Sequence, residues 1–69
     1  MARPMWLHAN AAVDSQVDMA LHREPNERHC ISIMFGDEDV MLDFFDAESL
    51  ERLRDLADEG ARRLREEVL

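Results

Sequence analysis

Hydrophobic and polar positions fall into two regimes along this 69-residue chain. From Asp46 to Val68 the apolar or small residues Leu50, Leu53, Ala57, Gly60, Leu64 and Val68 recur at steps of three or four. That spacing puts them on one face of a helix, with Leu56 and Ala61 flanking it. It predicts a helix over about 47–68. Asp46 stands where a side chain can accept from the free N–H groups of the first turn, and Phe45 and Leu50 occupy the two positions of a hydrophobic staple. Glu48 lies in the first turn, where the helix dipole favours it. Glu48–Arg52, Asp58–Arg62 and Glu59–Arg63 are acid-before-Arg pairs four residues apart, each worth a few tenths of a kcal/mol. Gly60 costs about 1 kcal/mol relative to Ala. Its place on the apolar stripe suggests close approach of another backbone.

Ahead of the helix the period changes to two. Val17, Met19 and Leu21 alternate with Asp18, Ala20 and His22, and Val13 and Ser15 extend the pattern. Ile31, Ile33 and Phe35 alternate with Ser32 and Met34, and Val40, Leu42 and Phe44 with Met41 and Asp43. Alternation of this kind marks strands with one face inward. Strands are expected at about 13–22, 29–35 and 40–45. Glu24-Pro25-Asn26-Glu27 suits a type I turn, and Gly36-Asp37-Glu38-Asp39 supplies the second reversal. Pairing Leu21 with Ile31, Met19 with Ile33 and Val17 with Phe35 aligns the first hairpin. Pairing Phe35 with Val40, Ile33 with Leu42 and Ile31 with Phe44 aligns the second. A shift of two residues would preserve which side chains share a face. Residues 10–23 also place Val13, Val17 and Leu21 at helical spacing, but the alternation is preferred. A short edge strand over residues 4–9, carrying Trp6, is a further candidate. The expected fold is α+β: a three-stranded antiparallel meander, with or without that short N-terminal fourth strand, packed against one long C-terminal helix. The length fits one domain over 1–69.

A single helix covers one side of such a sheet. Its natural seat is the side holding Val17, Met19, Leu21, Ile31, Ile33, Phe35, Val40, Leu42 and Phe44. The other side carries Cys30, Met34, Met41 and Ala20 among Ser32, Asp18 and Asp43, so it is not cleanly polar. Trp6 and Met5 are spare apolar residues near the start. An apolar patch on so small a chain marks a contact surface, and Met-rich surfaces adapt well at interfaces. Either the N-terminal segment folds back over the patch with Trp6, or another protein covers it. The second is expected, with a homodimer as the first choice. A core in a chain this short rarely supplies more than about 3–5 kcal/mol, so association is the simplest remaining source of stability.

Charge sharpens this picture. Eight Arg and no Lys stand against sixteen carboxylates, for a net charge of −8. Asp37, Glu38, Asp39, Asp43, Asp46, Glu48 and Glu51 fall within residues 37–51, where there is no cation. The excess is thus concentrated at one hairpin tip, one strand and one helix start. Such a field repels a phosphate backbone and steers a basic protein partner. Asp37, Glu38, Asp39 and Asp43 are the candidate electrostatic contacts, and Trp6, Cys30, Met34 and Met41 the candidate apolar ones. A solvated tip that limits aggregation is the simpler reading of the same charges. The acidic stretch is too short for a calcium loop of about twelve residues.

Other chemistry finds little support. His8, His22, His29 and Cys30 lack zinc-ligand spacing. His29 and Cys30 are neighbours on a strand and point to opposite faces, which is no nucleophile–base pair. Gly36 and Gly60 form no phosphate loop. The Arg cluster Arg62, Arg63 and Arg65 is interleaved with carboxylates and reads as a solvated helix face. A single Cys excludes an internal disulfide and suits a reducing cytoplasm. No apolar run reaches the roughly 18–20 residues of a membrane span, and Met1-Ala2-Arg3-Pro4 opens onto no signal-peptide core. Arg without Lys suggests a GC-rich genome and a bacterial or phage origin. The composition, 46% apolar and 35% charged, is that of a folding chain. The function expected is a small acidic, non-enzymatic interaction module without cofactor. It would be homodimeric and serve as an accessory or regulatory subunit, with no direct contact to nucleic acid or membrane. The alternative is a phage-type inhibitor or DNA mimic occupying a basic partner, and the third choice a small metal-binding protein.

Overall fold

A computed structural model describes residues 9–68, the side chain of Val68 excepted. The elements are β1 (Met19–His22), β2 (Ile31–Phe35), β3 (Val40–Phe44) and α1 (Ala47–Val68). The strands form one antiparallel sheet in the order β1-β2-β3. The fold is α+β, as the alternation followed by helical spacing predicts. The edge strand expected at residues 4–9 falls almost wholly outside the described residues.

β1 begins later than expected. Asp14 Oδ1 accepts from the backbone N–H of Gln16 at 2.9 Å, and the Asp14 carbonyl accepts from Val17 N–H at 3.1 Å. A short acidic side chain that bonds its own backbone competes with strand pairing. Residues 14–17 therefore turn, and Val13, Ser15 and Val17 leave the sheet. The helical alternative for residues 10–23 is not adopted.

The first hairpin also shifts. Leu21 pairs with Ile33 and Met19 with Phe35, two residues from the expected alignment. The turn at Glu24–Glu27 forms as predicted, with Glu27 N–H donating to the Glu24 carbonyl at 3.0 Å. A second turn at Arg28 and His29 then lengthens the loop, so β2 starts at Ile31 rather than at residue 29. The shift is even, so the same side chains still share a face. Gly36 N–H donates to the Asp18 carbonyl at 2.8 Å and carries the register one step further. The second hairpin adopts the expected register throughout, Phe35 opposite Val40 and Ile31 opposite Phe44.

The turn between β2 and β3 needs left-handed backbone at two positions, Gly36 (φ 68°) and Glu38 (φ 67°). Gly36 suits its place twice over, because a Cβ there would lie 2.6 Å from Asp39 Oδ2. Glu38 has no such excuse, since its Cβ crowds the backbone in this region. Replacing Glu38 by Gly is expected to stabilise the protein by about 0.5–1 kcal/mol, the relief outweighing the added freedom of the unfolded chain. A urea titration that shows no gain would contradict this.

The helix starts where the sequence places it. Ser49 N–H donates to Asp46 Oδ1 at 2.7 Å, and Ser49 Oγ donates to the Asp46 carbonyl at 3.0 Å. The backbone bond first, then the Ser49 hydroxyl, hold the Asp46 carboxyl below its ordinary value, with a further contribution from Arg52. The staple does not close: Phe45 is 69% exposed. Arg62 bonds Glu59 at 2.6 Å and Glu66 at 2.7 Å rather than Asp58, and these two carboxylates, Glu59 first, raise its pKa. Arg63 meets Glu59 as expected, at 3.2 Å. No Glu48–Arg52 ion pair forms.

Candidate functional site

The register sorts the sheet into two faces. The first carries three rows: Met19-Phe35-Val40, Leu21-Ile33-Leu42 and Ile31-Phe44. Every residue in them is apolar. The second carries Ala20-Met34-Met41 and His22-Ser32-Asp43. The sequence expectation was that α1 covers the first face and leaves the second as the contact surface. The structure gives the first face only partial cover.

Among the strands, the backbone of α1 comes within 8 Å of β3 alone. Leu50 and Leu53 are half-buried, and Leu50 lines a cleft with Ile31 and Phe44. Beyond Leu53 the cover fails: Leu56 is 72% exposed and Leu64 65%. Leu21 is equally bare, at 72%, and Met19 is 59% exposed. The connection from β3 to α1 is only Phe45-Asp46, and the helix meets the sheet near its start, where Leu50 and Leu53 are half-buried, with no comparable cover farther along. Among the described residues no backbone approaches Gly60, where a Cβ would meet nothing within 4 Å.

The second face is less bare than expected. Met34 and Cys30 are half-buried, and Met41 is more exposed than either. Ser32 is the most enclosed residue of the described chain, 6% exposed, and its Oγ donates to Asp43 Oδ1 at 2.5 Å. Asp43 thus has a structural partner across the strands. It sits about 13 Å along β3 from Asp39, at the usual strand rise, so it is not part of the hairpin tip. Asp37, Glu38 and Asp39 do form that tip, all exposed, and none is in an ion pair with a described residue. Trp6 lies outside the described residues. The structure therefore groups Cys30, Met34 and Met41 on or beside one face and Asp37, Glu38 and Asp39 at one end, with Asp43 apart. The sequence reading did not single out Met19, Leu21, Leu56 and Leu64 as contact residues. Their apolar period was visible, but it signalled a covered face.

Among the described residues, no three His, Cys, Asp or Glu side chains come together to hold a metal ion. His22 Nε2 instead lies 2.9 Å from Glu24 Oε1, and His29 is exposed. No described helix is long and apolar enough to cross a membrane. Comparison with family models, curated proteins and solved structures gives no match for this chain.

Proposed function

We propose that this protein is a small, non-catalytic interaction module that works as a homodimer, with its acidic hairpin tips left free to engage a basic protein. One observation carries the reading: among the described residues no hydrophobic side chain is buried. Met19, Leu21, Val40, Leu56 and Leu64 stand 59%, 72%, 39%, 72% and 65% exposed. Together they amount to about three whole apolar side chains in water, a loss of roughly 5–9 kcal/mol against burial. That is comparable to the entire stability of an ordinary domain, about 5–15 kcal/mol. The total surface agrees. The chain exposes 6942 Å², whereas a folded monomer of 8.0 kDa exposes about 4,450 Å². Association removes the deficit at no cost in chain length.

The tip supports the second half of the proposal. Asp37, Glu38 and Asp39 project at a tight turn and pair with no cation among the described residues, which focuses field on an approaching basic surface. The free thiol of Cys30 suits a reducing cytoplasm as the working compartment.

Sedimentation and thermal unfolding test the dimer. The mass is expected to be that of two chains at micromolar concentration. The melting temperature should rise by about 5 °C for each tenfold increase in protein, the mass-action signature of coupled folding and association. A strict monomer whose melting temperature ignores concentration would overturn it. Changing Asp37 and Asp39 to Asn and Glu38 to Gln should leave the dimer intact, slow association with a basic partner and flatten its salt dependence. Unchanged association would make the tip a solvated cap only.

A further inference from the structure

We infer that the bare half of the sheet in one copy is covered by the distal half of α1 from a second copy, and reciprocally, in a two-fold dimer. The inference rests on the homodimer reading and says which surfaces meet. Two apolar surfaces of the chain lack cover. One is the β1 side of the first face, with Met19 and Leu21. The other is the stretch of α1 bearing Leu56 and Leu64, with Ala57 and Gly60 between them. Neither set contains a charged residue, so bringing them together buries no unpaired charge.

One chain cannot join its own two surfaces in this arrangement. α1 leaves from β3, the edge opposite β1, and its backbone comes within 8 Å of no other strand. A second copy can, because each copy offers both a bare sheet and a bare helix. The symmetric alternatives each cover only one of them. Helix against helix leaves Met19 and Leu21 in water, and sheet against sheet leaves Leu56 and Leu64 there. Only the reciprocal exchange closes both with one two-fold operation.

The area agrees. The chain's surface of 6942 Å² exceeds that of a folded monomer of its mass by about 2,500 Å². A standard interface takes about 800 Å² from each partner.

Cross-linking between marked copies decides the matter. In a Cys30→Ser background, one preparation carries Leu21→Cys and the other Leu56→Cys or Leu64→Cys. Each is treated with a short bis-maleimide alone and after mixing and exchange, and sedimentation of the untreated samples gives the oligomeric state. The expected result is dimers throughout and about tenfold more cross-linked species in the mixture than in either preparation alone, because only the mixture pairs a sheet thiol with a helix thiol at high effective concentration. Self-linking of the helix variants would mean helix-to-helix contact, and self-linking of the Leu21→Cys chain sheet-to-sheet contact. Either would overturn this arrangement while leaving the homodimer standing. Monomers throughout would overturn both, and would assign the cover to residues 1–8 or to a different protein.

Discussion

Replacing Leu56 and Leu64 together by Glu is expected to convert the proposed dimer to monomer and to abolish cooperative unfolding. For the chain taken singly the same change should do almost nothing. Both side chains are already mostly in water there, and exposed substitutions usually stay within about 0.5 kcal/mol. Glu is also at least as good a helix former as most residues it could replace, so α1 itself is not at risk. In the proposed dimer the two leucines would be buried, and losing them would cost about 3–6 kcal/mol per chain before the desolvation of two carboxylates is counted. A chain with so little apolar burial of its own cannot absorb that. Sedimentation velocity and circular dichroism on the double variant separate the cases. A variant that keeps both its mass and its melting temperature would show that these leucines face solvent in the working protein.

Much of the fold was legible because it depends on local chemistry. Asp46 three residues before Ser49 marks the helix start by hydrogen bonding alone, and the cap is there. Pro25 and Asn26 fix a turn, and Gly36 supplies a conformation that other residues resist. The second hairpin followed, since four residues between Phe35 and Val40 leave little choice of register. The first hairpin was legible only to parity. Period two says which side chains share a face, and a shift of two leaves that unchanged. The late start of β1 was written in Asp14, whose side chain captures backbone that the alternation alone assigns to the strand.

The contact surface was harder, for a different reason. Hydrophobic period identifies the side of each element that seeks cover, and it identified both the first sheet face and the helix stripe. It does not say whether the two cover each other within one chain. That depends on the direction in which α1 leaves β3, set by the Phe45-Asp46 connection and not by any periodic pattern. The same limit applies to charge. Residues 37–51 were visible as one acidic stretch, but only the strand geometry separates the exposed tip from Asp43, which is occupied by Ser32.

Asp43 accordingly yields the second large effect. Asp43→Ala is expected to destabilise the protein by about 1–3 kcal/mol, because it leaves the enclosed Ser32 hydroxyl without its acceptor. Asp43→Asn should cost much less, since the amide oxygen can accept from Ser32 Oγ in the same place. Changing both Ser32 and Asp43 to Ala should recover most of the loss, as no enclosed polar group is then left unsatisfied. Urea titrations of these proteins, together with Ser32→Ala to complete the cycle, give the coupling directly. If Asp43→Ala and Asp43→Asn lose stability equally, the negative charge matters more than the hydrogen bond, and Asp43 belongs with the acidic field. If neither loses any, Ser32 finds water instead, and the carboxylate is free to meet a partner. The expected order places Asp43 with the internal bonding of the sheet and confines the electrostatic contact to Asp37, Glu38 and Asp39. Neutralising the tip should then alter partner binding without altering stability, and removing the Asp43 acceptor should do the reverse.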